Sequence, residues 1–225
     1  MEEFLSKWYG ILLFVAFDFI ALIAVISITY RWLFKRILDM LTSGTCLIIT
    51  FPLLLIGALT ARAAVKRGEA DSVVVGEEFV GKKGKKITLH RFTVGRLCLL
   101  PRLADVFCGR LSFIGVKPFT AGDCAFLDDD EEHRLFVRAG LINPLVRGGN
   151  AEIDYDDMIA SDMRYVKNVS FFGDCKIFFA WLIGKIRGEG DEYLGKTRGV
   201  SYAKSLLDEG RITEEDYRAA CQPQE

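Results

Sequence analysis

The sequence predicts a membrane-associated α+β protein. It would have one N-terminal transmembrane helix, a proline-broken re-entrant helical hairpin, and a mostly helical cytoplasmic domain with a small β-hairpin. Three observations lead there. Residues 8–30 are apolar over a length that crosses the hydrocarbon core of a bilayer. Residues 41–61 form a second apolar run, with Pro52 at its centre and basic residues at both ends. From about Asp71 the chain becomes mixed in polarity and carries turn signals.

In the first run, Trp8, Tyr9 and Tyr30 suit the two membrane interfaces. Glu2 and Glu3 precede it, and Arg31, Lys35 and Arg36 follow, which predicts an outside N-terminus and a cytoplasmic remainder. The acidic start and the lack of a small-residue cleavage site argue against a signal peptide. Asp18 sits in mid-span, where a carboxylate is costly and calls for a partner helix, the hairpin, or protonation. The second run has Lys35 and Arg36 before it and Arg62, Lys66 and Arg67 after it, so both ends are expected on the cytoplasmic side. Pro52 lacks a backbone N–H and can break the helix midway. Residues 35–67 are therefore expected to dip into one leaflet and return.

Val73–Val75 and 77–80 read as a strand, Gly81-Lys82-Lys83-Gly84 as a turn, and 85–92 as the return strand. The lysines at its tip suit anionic head groups, a diphosphate, or plain solvent. Residues 97–107 suit a helix, and the acidic run 128–132 the first turn of another, a better use than a magnesium site. Residues 155–187 read as helical, with a dense aromatic surface from Phe171 to Trp181 that fits a membrane interface. After glycines 188, 190 and 195, a short helix 203–208 ends near Gly210, and Thr213 with Asp216 caps another. This tail is similar to a short helical domain appended to many bacterial proteins, which implies a contact or oligomerisation role. The expected divisions are 1–34, 35–190 and 191–225.

A net charge of −1 over 225 residues gives no reason to propose nucleic-acid binding. The six cysteines form no C-x-x-C pair, which fits reduced cytosolic thiols rather than zinc or disulfides. His90 and His133 have no local ligand cluster, so no metal site is expected from them.

Several pieces recur in a recognisable order. Lys35-Arg36-Ile37-Leu38-Asp39 leads into the proline-centred run. Glu78-Phe79-Val80-Gly81-Lys82-Lys83-Gly84-Lys85 parallels E-R-V-G-x-x-G-K, with Phe79 in the arginine's place. Residues 97–115 parallel L-D-E-L-P-Q-L-x-N-V-L-x-G-x-x-S-x-V-G. Gly115-Val116-Lys117-Pro118 stands for G-P-R-P, and Arg138-Ala139-Gly140 for R-P-G. Asp162-Met163-Arg164-Tyr165-Val166-Lys167-Asn168-Val169-Ser170, followed by Asp174-Cys175-Lys176-Ile177, completes the series. Over roughly 35–187 the chain thus resembles the bacterial sugar transferases, the monotopic polyprenyl-phosphate phosphoglycosyl transferases. The resemblance implies transfer of a sugar 1-phosphate from a UDP-sugar to undecaprenyl phosphate, with release of UMP. That step begins exopolysaccharide, capsule or O-antigen assembly at the bacterial inner membrane. In the family an adjacent Asp-Glu pair does the chemistry: the aspartate attacks the β-phosphorus and the glutamate helps bind magnesium.

Here the dyad positions hold Cys98 and Leu99. Leucine can neither attack phosphorus nor bind magnesium, and a cysteine needs an electropositive setting such as Arg96 and Arg102 to act as a thiolate. His90-Arg91-Phe92-Thr93-Val94 runs almost directly into this segment, where the family has a longer stretch. Lys117 keeps a charge but loses the arginine fork. Asn143-Pro144-Leu145-Val146 replaces a T-G-W-x-Q-like run. The expectation is a catalytically degenerate membrane homologue, without a cofactor unless an active form uses magnesium. Its partners would be membrane lipids, undecaprenyl phosphate, an active transferase or another assembly protein, or a second copy. Lys117, Arg138 and Arg147 are the candidate phosphate-binding cations, and Lys35, Arg36, Asp39 and Pro52 the membrane-hairpin residues. The rival readings are an active enzyme with a relocated carboxylate, Asp105 or Asp123, and a plain membrane adaptor.

Overall fold

The computed structural model describes residues 8–95, 97–144, 154–187 and 200–221, with the side chains of 26–29, 31 and 32 outside that description. Helix α1 (Trp8–Thr29) runs through a π-helical turn (Tyr30–Phe34) into α2 (Lys35–Lys66). At 1.5 Å per residue these helices measure about 33 Å and about 48 Å. Both are long and apolar enough to cross a membrane. They are also mostly exposed, unlike the core helix of a globular domain. Pro52 lies inside α2, which is helical on both sides of it.

One stripe of α2 is buried: Asp39, Ser43, Gly57, Ala61 and Ala64. Steps of four, fourteen, four and three return to one face of a helix. Four of the five are small, so backbones can approach closely. A Cβ on Gly57 would lie 2.8 Å from the Phe92 ring. The far face leaves Ile48, Ile49, Phe51, Leu55 and Ile56 exposed.

Strands β1 (Val74–Val80) and β2 (Lys86–Phe92) pair antiparallel, with Val74 opposite Phe92 and Val80 opposite Lys86. Lys83 takes φ +61° and Gly84 φ +72° at the tip, as the expected Gly-Lys-Lys-Gly turn requires. The tip packs on the 3₁₀ segment Glu131–Phe136. Phe92, at the other end of the hairpin, lies against α2. Seven residues of strand put the tip lysines about 23 Å from that end. The tip therefore faces a segment rich in acidic residues rather than the apolar helices.

Helix α3 (Arg102–Cys108) is preceded by a turn at 97–100, so the expected helix starts late. Strands β3 (Ser112–Ile114) and β4 (Gly140–Ile142) pair in parallel. A Cβ on Gly140 would fall 2.0 Å from the Gly115 backbone nitrogen, so the two glycines of the motif series are where these backbones touch. Between the strands come α4 (Ala121–Cys124) and the 3₁₀ segment. The acidic run thus forms a 3₁₀ turn and not an α-helix. Helices α5 (Tyr155–Lys167) and α6 (Phe171–Ile186) follow, separated because Ser170 caps α6 by accepting from the Gly173 N–H.

The tail forms α7 (Tyr202–Asp208) and α8 (Glu214–Cys221). Gly210 takes φ +72° after α7, and Thr213 and Asp216 form the expected reciprocal cap. The tail does not stand apart. Tyr202 and Leu206 join Phe119, Tyr155, Met158 and Ile159 in one buried cluster. A second cluster joins Ile114, Val116, Val137, Ile142, Tyr165 and Val166, with Phe178 and Trp181 of α6 against it. A third joins Leu89, Val106, Leu111 and Ala139 beneath the hairpin.

Candidate functional site

The turn at 97–100 is held to the hairpin by the Phe92 N–H, which donates to the Cys98 carbonyl at 2.8 Å. It presents Cys98 half-buried and Leu99 47% exposed. Arg102, one turn further on, donates to Glu77 at 3.0 Å and covers the Phe79 ring. Arg91 donates to the other Glu77 oxygen at 2.5 Å. Glu77 is thereby neutralised twice, and the Arg102 charge is spent on it. Arg96 lies outside the described residues.

Asp105 and Asp123, the proposed substitutes, are both buried. Asp105 accepts from the His90 N–H at 2.7 Å, bonds the His90 ring at 2.8 Å and accepts from Arg110 at 3.0 Å. Asp123 accepts from the backbone N–H and hydroxyl of Thr120, and from the Ala203 N–H at 2.9 Å. It caps two helices, its own α4 and α7 of the tail. Position in the sequence suggested both as substitutes, and the fold spends both on these partners.

Of the three expected cations, Lys117 is held inside. Its ammonium donates to the Tyr155 hydroxyl at 2.8 Å, and that hydroxyl donates to the Val200 carbonyl of the tail at 2.5 Å. Burial pulls the Lys117 amine down to about 8. Arg138 is half-buried, and no hydrogen bond or ion pair among the described residues engages it. Its charge is felt by Arg36. Arg36 itself donates to the Val106 and Phe107 carbonyls at 2.7 and 2.6 Å, closing the C-terminus of α3. Arg147 lies outside the described residues.

The strongest polar cluster joins the apolar helices to the domain. Asp174, 5% exposed, accepts from Tyr30 at 2.6 Å, Lys35 at 2.5 Å and Tyr165 at 2.8 Å. Tyr30 and Lys35 are five residues apart, about 140° round an α-helix. The π turn between them closes i→i+5 bonds, which brings both onto the face that meets Asp174. Asp39 accepts from the Ser112 hydroxyl at 2.7 Å and the Phe113 N–H at 3.0 Å, pinning α2 to β3. Beside these carboxylates lies a cavity of about 420 Å³ walled mainly by apolar side chains, among them Leu38, Leu41, Phe113, Phe171 and Phe178. Burial and Asp174 keep the Tyr165 phenol protonated well above its usual range.

A second buried pair was missed by sequence reasoning. Arg134 donates to Asp162 at 2.6 Å and to the Lys117 carbonyl at 2.9 Å, with its guanidinium 3.4 Å over the Phe119 ring. Asp162 was noticed only as part of a motif, and Arg134 carried no local signal because its partner is 28 residues away.

Residues 94–187 match the sequence model of one family, Bacterial sugar transferase. That match is a likeness to the bacterial sugar transferases over 94 of the chain's 225 residues, less than half of its length. Among curated relatives, the undecaprenyl-phosphate galactose phosphotransferase of Salmonella typhimurium is 30% identical over 80 residues, 36% of this chain and 17% of that protein. The exopolysaccharide production protein ExoY of Rhizobium meliloti is 30% identical over 80 residues, 36% of this chain and 35% of that protein. The UDP-galactose-lipid carrier transferase of Erwinia amylovora is 26% identical over 105 residues, 46% of this chain and 22% of that protein. The matched stretches thus span well under two thirds of these relatives. The family match begins at Val94 and takes in the Cys98–Leu99 turn, Lys117, Arg138 and Asp174.

Proposed function

We propose that this sugar transferase homologue is a membrane-anchored, non-catalytic protein that holds a polyprenyl phosphate beside its membrane helices. The observation that carries the loss of catalysis is the donor set at the family's dyad turn. Cys98 and Leu99 stand there, and Glu77, Asp105 and Asp123 already serve cations or backbone N–H groups. Among the described residues no group of three His, Cys, Asp or Glu side chains gathers for a cation. Such a set does not suit magnesium, which prefers carboxylate and water oxygens in an octahedral shell. No step is therefore assigned through it.

Membrane placement is part of the proposal. Helix α1 would cross the bilayer of the bacterial inner membrane. Helix α2 would enter one leaflet and return as a re-entrant segment. It docks on the same domain on both sides of Pro52: Asp39 on β3, and Gly57 on Phe92. The exposed Phe172, Phe179, Ile183 and Ile186 of α6 lie on one helical face and would rest in the interface. The domain would then face the cytoplasm, with basic residues flanking α2 on that side.

Arg138 and Arg36 supply a cationic spot close to the apolar helices, and the cavity by Asp174 offers room for an isoprenoid segment. The names of relatives that act with undecaprenyl phosphate or a lipid carrier fit that ligand class. Other polysaccharide-assembly proteins would be the partners that receive the held lipid. The test is binding of undecaprenyl phosphate to the full chain in nanodiscs, with undecaprenol as control. Arg138→Ala is expected to weaken phosphate-lipid binding about tenfold, the scale of one charge-assisted contact. Equal binding of the two lipids, or an unaffected Arg138→Ala variant, contradicts the phosphate site.

A further inference from the structure

Asp18 has no use in anything described so far. It lies midway along α1, is exposed, and is reached by no hydrogen bond or ion pair among the described residues. The sequence left open whether the second apolar helix supplies its partner; α2 does not. A carboxyl at mid-depth of a bilayer is too short to reach either interface and needs a polar partner within the membrane.

The surroundings of Asp18 form a seam. Ile11, Asp18 and Val25 recur every seven residues, and Phe14 and Ala21 fill the alternate positions between them. All five are exposed. This is the 3.5-residue spacing of a two-helix contact, with β-branched residues at the repeating position and one polar residue among them. Ala21, one turn from Asp18, lets two backbones approach there.

We propose that α1 pairs with α1 of a second copy of this chain, with the two Asp18 carboxyls facing one another at the centre. Symmetry favours a second copy. Two identical chains with the same orientation bring Asp18 to the same depth without further adjustment. Each carboxyl then finds a hydrogen-bonding partner in the other within the hydrocarbon. The inference rests on the transmembrane placement of α1 proposed above.

The test is oxidative cross-linking of single cysteine variants of the full chain in vesicles. None of the native cysteines lies in α1, so the wild type sets the baseline. Ile11→Cys, Ala21→Cys and Val25→Cys are expected to give dimer well above baseline. Ala16→Cys and Ile20→Cys, on the opposite face, should stay near it. In the Ala21→Cys background, Asp18→Leu should reduce dimerisation about 5- to 30-fold, the scale of an intramembrane polar contact, and Asp18→Asn should retain most of it. Equal cross-linking on both faces, or no effect of Asp18→Leu, overturns the pairing. So does cross-linking of the seam to another membrane protein in place of a second copy. Reaction of Ala16→Cys and Ile20→Cys with a membrane-impermeant maleimide would instead overturn the span itself, and the pairing with it.

Discussion

Removing the charge of Asp174 is the sharpest perturbation of the junction between the apolar helices and the domain. Two oxygens there serve three donors: Tyr30 and Lys35 share one at 2.6 and 2.5 Å, and Tyr165 takes the other at 2.8 Å. The Asp174 and Lys35 side chains are only 7% and 13% exposed. Asp174→Asn keeps one acceptor oxygen and turns the other into a donor that opposes two donors. Lys35 is left as an uncompensated cation in a nearly dry site. Breaking a buried pair in this way costs about 3–5 kcal/mol. The lysine stem can bend toward water, so the lower end applies, about 3 kcal/mol. At about 2–4 °C per kcal/mol for a chain of this size, the melting temperature should fall by about 6–12 °C. Lys35→Met alone should cost less, because both phenols still satisfy Asp174. The double variant should be more stable than the two losses summed, with a coupling of about 1–3 kcal/mol. The assay is thermal unfolding of the full chain in a mild detergent, with trypsin cleavage at Lys35 and Arg36 as a local readout. A loss under about 0.5 kcal/mol, within surface-substitution scatter, or simple additivity would refute the assignment of Asp174 as the junction's hub.

Two further outcomes follow from the interior. Lys117 has its amine lowered to about 8 by burial, against an ordinary value of 10.5. Between those values the unfolded chain binds more protons than the folded one, so stability should rise with pH from about 8 toward the unfolded value. Lys117→Met should flatten that slope in urea titrations across the range. Tyr202 stacks on Phe119 with ring centres 5.5 Å apart and is buried. Tyr202→Ala should cost about 3–5 kcal/mol and make the tail sensitive to protease, while a tail that merely hangs from the domain would lose almost nothing.

The sequence made the local devices legible and left the long-range ones hidden. The Gly-Lys-Lys-Gly turn, the reciprocal Thr213–Asp216 cap and the aromatic face of α6 are each written within a few neighbouring residues, and each forms. Asp105 and Asp123 looked available because nothing nearby in sequence shows that Arg110, His90 and Ala203 would converge on them. The Arg134–Asp162 pair joins residues from separate elements and has no periodic signal. The π turn was invisible for another reason: nothing in residues 30–34 marks a wider turn, and its use appears only where Tyr30 and Lys35 both reach Asp174. Pro52 removes one hydrogen bond, and α2 runs on through that loss.

The proposed loss of catalysis rests on Cys98 and Leu99 standing in place of a working carboxylate pair. It is tested most directly by UMP release from the full chain in lipid nanodiscs with undecaprenyl phosphate, magnesium and a panel of UDP-sugars. Folded protein is expected to give no release above background. Release that Asp105→Asn or Asp123→Asn abolishes, while the fold survives, would contradict it and put a rebuilt active site in its place.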